Sequence, residues 1–92
     1  MGRVADTIRT KLSQGLHPTR LDIIDESHRH AGHAGARPEG ESHFQVAIVS
    51  AAFAGQSRVA RQRLVYGLLA EELRTDIHAL SLTTLTPEED KN

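Results

Sequence analysis

Seventeen residues, 58–74, separate two strand-like segments from a third, and that order limits the folds open to the chain. Within the stretch, Val59, Leu64, Val65, Leu68, Leu69 and Leu73 recur at helical spacing. One continuous helix with a broad apolar stripe is therefore expected. Ahead of it, over 43–50, Phe44, Val46 and Ile48 alternate with Gln45 and Ala47, and Val49 adds apolar bulk on the other face. Behind it, over 77–85, Leu80 and Leu82 share one parity and Ile77 and Ala79 the other. Both segments have the period of strands. Two strands joined by a helical crossover in one sheet run parallel.

Residues 3–14 read as a further helix, with Val4, Ile8 and Leu12 every four positions and Gly15 and Pro18 as the stop. Residues 20–26 read as a strand, in which Leu21 and Ile23 alternate with Asp22 and Ile24 follows. It can pair antiparallel with 43–50 across a long loop. Ser57 is placed to cap the helix that follows it. The order is α-β-β-α-β, and helices must cover one face of the sheet to bury their stripes. The expected fold class is α+β, a small type II KH-like sandwich with a mixed three-stranded sheet. Ninety-two residues make one domain. Its core spans about 3–86, and 87–92 form a short terminal helix or a tail.

Composition narrows the function classes. Hydrophobic residues at 38% and charged residues at 25% fit a soluble globular protein rather than a disordered one. No apolar run approaches the ~18–20 residues needed to span a membrane. The start, Met1-Gly2-Arg3-Val4-Ala5-Asp6, lacks the apolar core of a secretory signal. A cytoplasmic location away from membranes is expected. A formal charge of -1 gives little support to strong non-specific nucleic-acid binding. Cysteine is absent, which excludes disulfides, a thiol nucleophile and a self-contained thiolate metal site.

Histidine stands out. There are six, and His28, His30, His33 and His43 fall close together, with His17 and His78 elsewhere. Three sit in the loop from Ser27 to Ser42, which also holds Gly32, Gly35, Pro38 and Gly40. Long loops without secondary structure are often functional. The alternatives for this loop are a solvated polar segment or a source of imidazole ligands, the commonest protein metal ligands. No spacing in it matches a closed zinc motif. His78, by parity on the face of Leu80 and Leu82, is either a partly buried hydrogen-bonded ring or a ligand at the rim of the core. Two imidazoles leave coordination positions open, so a metal there needs a second molecule.

In the long helix, Arg58, Arg61 and Arg63 crowd the N-terminal half, and Glu71 and Glu72 lie near the C-terminus. Both placements oppose the helix dipole. Either tertiary acids pair with the arginines, or they form a surface for an anion, nucleic acid or an acidic partner. The Gly-x-x-Gly loop that KH domains use on nucleic-acid backbones is missing from the expected place; Gly55-Gln56-Ser57-Arg58 is the nearest piece. Phe44, Phe53 and Tyr66 are too few for a base-stacking platform. No nucleophile elbow or acid–base pair is evident, and an enzyme is not expected.

A series of segments then becomes recognisable: Asp25-Glu26-Ser27, the histidine loop, Glu41-Ser42-His43-Phe44, Ile48-Val49-Ser50, Phe53-Ala54-Gly55, Arg61-Gln62-Arg63-Leu64-Val65-Tyr66, Leu69-Ala70-Glu71-Glu72-Leu73 and Ile77-His78-Ala79-Leu80. In this order they resemble the BolA family over roughly residues 4–88. Gln62 departs from the pattern, since many members carry histidine there.

The resemblance implies the type II KH-like fold and a partnership with monothiol glutaredoxins, in which the two proteins share a [2Fe–2S] cluster. The glutaredoxin cysteine and a glutathione thiolate hold one side. The family resemblance assigns the other side to His78, in the His-Ala-Leu motif, and to a loop residue. In a chain without cysteine that residue is a histidine, matched to His33 with His30 as the alternative. His43 is implied to be structural. No cluster is expected to be held tightly by the isolated chain. Histidine in place of thiolate raises the potential of such a cluster. Neutral imidazoles are needed, so sharing is expected to weaken below pH ~6. Members are also described as DNA-binding regulators of morphology and stress response. DNA contacted through Arg58, Arg61 and Arg63 is therefore the alternative partner.

Overall fold

Phe44, Val46 and Ile48, the alternating residues of the second expected strand, are all buried, at 2% exposure or less. Their strand is the middle of a three-stranded sheet. The computed structural model describes residues 2–26 and 43–90. In chain order these form α1 (Arg3–Leu16), β1 (Arg20–Asp25), β2 (His43–Val49), a 3-10 turn (Ala51–Phe53), α2 (Arg58–Leu68), α3 (Ala70–Thr75) and β3 (Ala79–Leu85).

The sheet order is β1-β2-β3. β1 pairs antiparallel with β2, Asp22 opposite Ala47 and Ile24 opposite Gln45. β2 pairs parallel with β3, His43 opposite Ala79 and Ala47 opposite Thr83. The parallel pair follows from the helical crossover between those strands. Val4, Ile8, Leu12 and Leu16 of α1 and Val65 and Leu69 meet the inner face of β2, and Phe53 and Ile77 complete the core. Leu21, Ile23, Leu80 and Leu82 pack at its margins. The expected α+β sandwich, with helices on one sheet face, is the fold observed.

Several boundaries differ from expectation for identifiable reasons. α1 runs through Gly15 to Leu16, and the left-handed cap is His17 at φ 46°. Gly15 lies inside the helix, where an added Cβ would come within 2.8 Å of the Leu68 side chain. The lack of a side chain there lets α1 and α2 approach closely. β1 ends at Asp25 and β2 at Val49, one residue early in each case.

The expected single helix over 58–74 bends at Leu69, where φ is -107° and ψ is 18°. Main-chain bonding continues on both sides, from the Leu69 N–H to the Val65 carbonyl and from the Leu73 N–H to the Leu69 carbonyl. The apolar stripe is narrower than expected. Val59 and Leu64 are 55% and 39% exposed, while Val65 and Leu69 are buried. Because α3 begins at Ala70, Glu71 and Glu72 lie in its first turn. There they favour the helix dipole instead of opposing it.

β3 begins at Ala79 rather than at residue 77, because the Ile77 N–H is still bonded to the Glu72 carbonyl at the helix end. Residues 87–90 are neither a helix nor a free tail. They form a turn, closed from the Asp90 N–H to the Thr86 carbonyl.

Candidate functional site

His78 stands between buried Ile77 and the first residue of β3, and it is exposed. The sharp change from a buried helix-end residue to an exposed one aims this imidazole out of the core at the N-terminal rim of the parallel strand pair. The expected placement on the face of Leu80 and Leu82 does not hold, because the strand starts at Ala79, two residues later than expected, and His78 lies before it.

His43, at the corresponding end of β2, lies beside it. The two rings stack with centroids 6.1 Å apart and planes inclined by 23°. The parallel register produces this contact, since His43 is opposite Ala79. The His43 carbonyl also accepts the Glu26 N–H at 2.7 Å. The chain therefore leaves β1 and returns into β2 beside His78. His28, His30 and His33 belong to the connection between those points and lie outside the described residues. Among the described residues no group of three or more histidines and acids is arranged to hold a metal ion. The sequence reading separated His43 from His78; only the pairing of β2 with β3 brings them together.

The three arginines of α2 have different surroundings. Arg61 is turned inward, with a side chain 12% exposed. Its Nε donates to the Gln56 carbonyl and its Nη1 to the Thr84 carbonyl, both at 3.0 Å. Nη1 also meets Glu89 Oε1 at 2.7 Å, and the guanidinium lies 5.9 Å from the Phe53 ring centroid. Of the two readings of these arginines, pairing with a tertiary acid holds for Arg61. Arg58 and Arg63 are exposed, with no ion pair among the described residues. α2 contains no acidic residue, so these two leave its surface positive.

The N-terminus of α2 is set by Gly55 and Ser57. Gly55 has φ 76°, a backbone region that glycine adopts freely. Ser57 is the expected cap, its hydroxyl oxygen accepting the Ala60 N–H at 3.1 Å. Lys11 of α1 reaches Glu72 at 2.7 Å. Glu72 is buried, and its Oε1 has no partner among the described residues. This pair joins α1 to α3. No helix among the described residues is long and apolar enough to cross a membrane.

Comparison with known proteins agrees with this architecture. The sequence model of the BolA-like protein family matches residues 12–89. Protein BOLA1, chloroplastic, from Arabidopsis thaliana is 52% identical over 87 residues. That match covers 92% of this chain and 54% of the relative, so the chain spans about half of that protein. The DNA-binding transcriptional regulator BolA of Escherichia coli is 43% identical over 86 residues, covering 94% of this chain and 78% of the relative. Among solved structures, the BolA domain of SufE1 from Arabidopsis thaliana superposes with a TM-score of 0.86 at 46% identity, covering 97% of this chain and 98% of that one.

Proposed function

The chain belongs to the BolA-like protein family, and on that premise we propose that it is a non-enzymatic adaptor that docks a monothiol glutaredoxin and shares a [2Fe–2S] cluster with it. The task is iron–sulfur cluster trafficking or iron and redox sensing. The observation that carries this reading is the position of His78. An exposed imidazole stands at the rim of the sheet, against His43, where both ends of the histidine-bearing connection are tied.

The donor set fits part of such a cluster. The chain has no thiolate, so the remaining ligands come from the glutaredoxin cysteine and glutathione. In this reading His78 supplies one imidazole and His33 the other, with His30 as the alternative. A strand-end ligand is held in place by Ile77 and the β2–β3 pairing; the second arrives on the connection from β1 to β2. The shared cluster would supply one-electron chemistry and transferable iron. The test is visible circular dichroism of the full chain mixed with cluster-loaded monothiol glutaredoxin. The wild-type mixture should give a spectrum distinct from the glutaredoxin alone, and His78→Ala should abolish that difference. A spectrum unchanged by His78→Ala together with His33→Ala contradicts the assignment.

A second reading rests on the exposed residues Arg58 and Arg63 and on the similarity to the Escherichia coli DNA-binding transcriptional regulator BolA. In it, α2 contacts DNA phosphates. Replacing Arg58 and Arg63 with alanine should then weaken binding and flatten its salt dependence. Unchanged binding would remove this surface from consideration.

A further inference from the structure

The two edges of the sheet are not alike. β1, Arg20-Leu21-Asp22-Ile23-Ile24-Asp25, carries three charged residues in six, the usual protection of an exposed edge. β3, Ala79-Leu80-Ser81-Leu82-Thr83-Thr84-Leu85, carries no charge, no proline and no glycine. Among the described residues it is bonded to a neighbouring strand, β2, on one side only.

The direction of its free groups can be read from two bonds. The Leu85 carbonyl accepts the Ser50 N–H and so faces β2. The Thr84 carbonyl accepts from Arg61 on the opposite side. Main-chain groups alternate along a strand, so Leu80 and Leu82 present their N–H and C=O groups to the open edge, as Thr84 does.

A groove of about 230 Å³ runs along this edge, with Arg58 and Gln62 of α2 as one wall and residues 82–85 of β3 as the other. The crossover makes α2 antiparallel to β3. The helix row Arg58, Gln62, Tyr66 advances ~6 Å per step, and the strand row Thr84, Leu82, Leu80 ~6.6 Å per step. The two rows therefore stay nearly in step along two turns. Tyr66, next in the helix row, is 40% exposed. One end of the track carries Arg58, which has no ion pair among the described residues; the other leads towards His78.

We propose that this edge is a strand-addition site for an extended peptide segment of a protein partner, bearing a carboxylate at the end that lies over Arg58. The peptide main chain bonds to Leu80 and Leu82, its side chains alternate between the α2 wall and the outer sheet face, and Arg58 fixes its polarity. Single-stranded nucleic acid fits the charge of Arg58 but makes no use of a ladder of main-chain donors and acceptors. The uncharged, unprotected edge favours a peptide. The site goes beyond the cluster reading and does not depend on it.

The test uses the full chain labelled with nitrogen-15 and a capped six-residue probe of alternating valine and threonine with glutamate at one end. Titration should shift the Leu80 and Leu82 amides and slow their hydrogen exchange. Arg58→Glu should weaken binding of this probe roughly two- to fivefold, the range of an exposed ion pair, and favour a lysine-ended probe instead. A probe N-methylated at alternate residues, which cannot complete the ladder, should not bind. Unchanged exchange at Leu80 and Leu82, equal binding of the N-methylated probe, or tighter occupation of the groove by oligothymidylate would overturn the proposal.

Discussion

Arg61 and Glu89 form a two-pronged ion pair across 28 residues of sequence, with Nη1 2.7 Å from Oε1 and Nη2 3.2 Å from Oε2. The Thr86 N–H also donates to Glu89 Oε1 at 2.9 Å. One guanidinium thus ties the start of α2 to the end of β3 and to the turn that follows it. The segment that reads as a short helix or a tail in the sequence is tied to α2 and β3 through Glu89.

The Arg61 hydrogen bond, followed by that from the Thr86 main chain, lowers the Glu89 carboxyl from 4.5 to about 2. A depressed carboxylate contributes stability that is fully present above its ordinary value and is lost as pH falls towards the folded one. Thermal melts between pH 5 and 2 should therefore fall more steeply for the wild type than for Glu89→Gln. Glu89 is 46% exposed, so high salt should narrow the difference. Parallel pH profiles would show that the pair contributes nothing.

Ser50 is fully buried at the end of β2. Its hydroxyl donates to the Leu16 carbonyl at 2.6 Å and accepts the Ala52 N–H at 3.1 Å. It joins the C-terminus of α1 to the turn before α2. Ser50→Ala removes both bonds inside the core and should cost about 1–3 kcal/mol in urea unfolding.

Phe53 is fully buried and lies under Arg61. Phe53→Ala should destabilise the fold by about 3–5 kcal/mol, the range for truncating a buried phenylalanine. A chain this small could then be largely unfolded at room temperature, which far-ultraviolet circular dichroism with and without denaturant would record.

Lys11 and Glu72 form a pair in which the acid is the buried member. Lys11→Met alone leaves that carboxylate without its cation and should destabilise the protein. Combining it with Glu72→Leu removes the stranded charge and should restore most of the loss. Denaturant unfolding of the four proteins of this cycle gives the coupling directly.

The fold was largely legible because Phe44, Val46 and Ile48 state the strand period plainly and the 58–74 stretch imposes a crossover. Details depending on contacts between distant segments were not. The bend at Leu69 is marked in the sequence only by Gly67 two residues before it, and Leu69 is itself a good helix former. It moves Glu71 and Glu72 from an apparent helix C-terminus to a helix N-terminus, reversing their electrostatic meaning. Likewise Arg61 looks identical to Arg58 and Arg63 in sequence, and only the turn at 86–90 distinguishes it. Of the candidate site, His78 was marked by its family motif and its strand. The partnership of His43 with His78 required the parallel register, which local spacing does not encode.

The central claim is that imidazole nitrogens of this chain bind iron held jointly with a glutaredoxin. The most direct measurement is electron-nuclear double resonance of the reduced cluster in the complex, with nitrogen-15 histidine incorporated only into this chain. Strongly coupled nitrogen-15 signals are predicted, with one set lost in His78→Ala and the other in His33→Ala. A reduced cluster in the complex with no nitrogen-15 coupling from this chain would contradict the account.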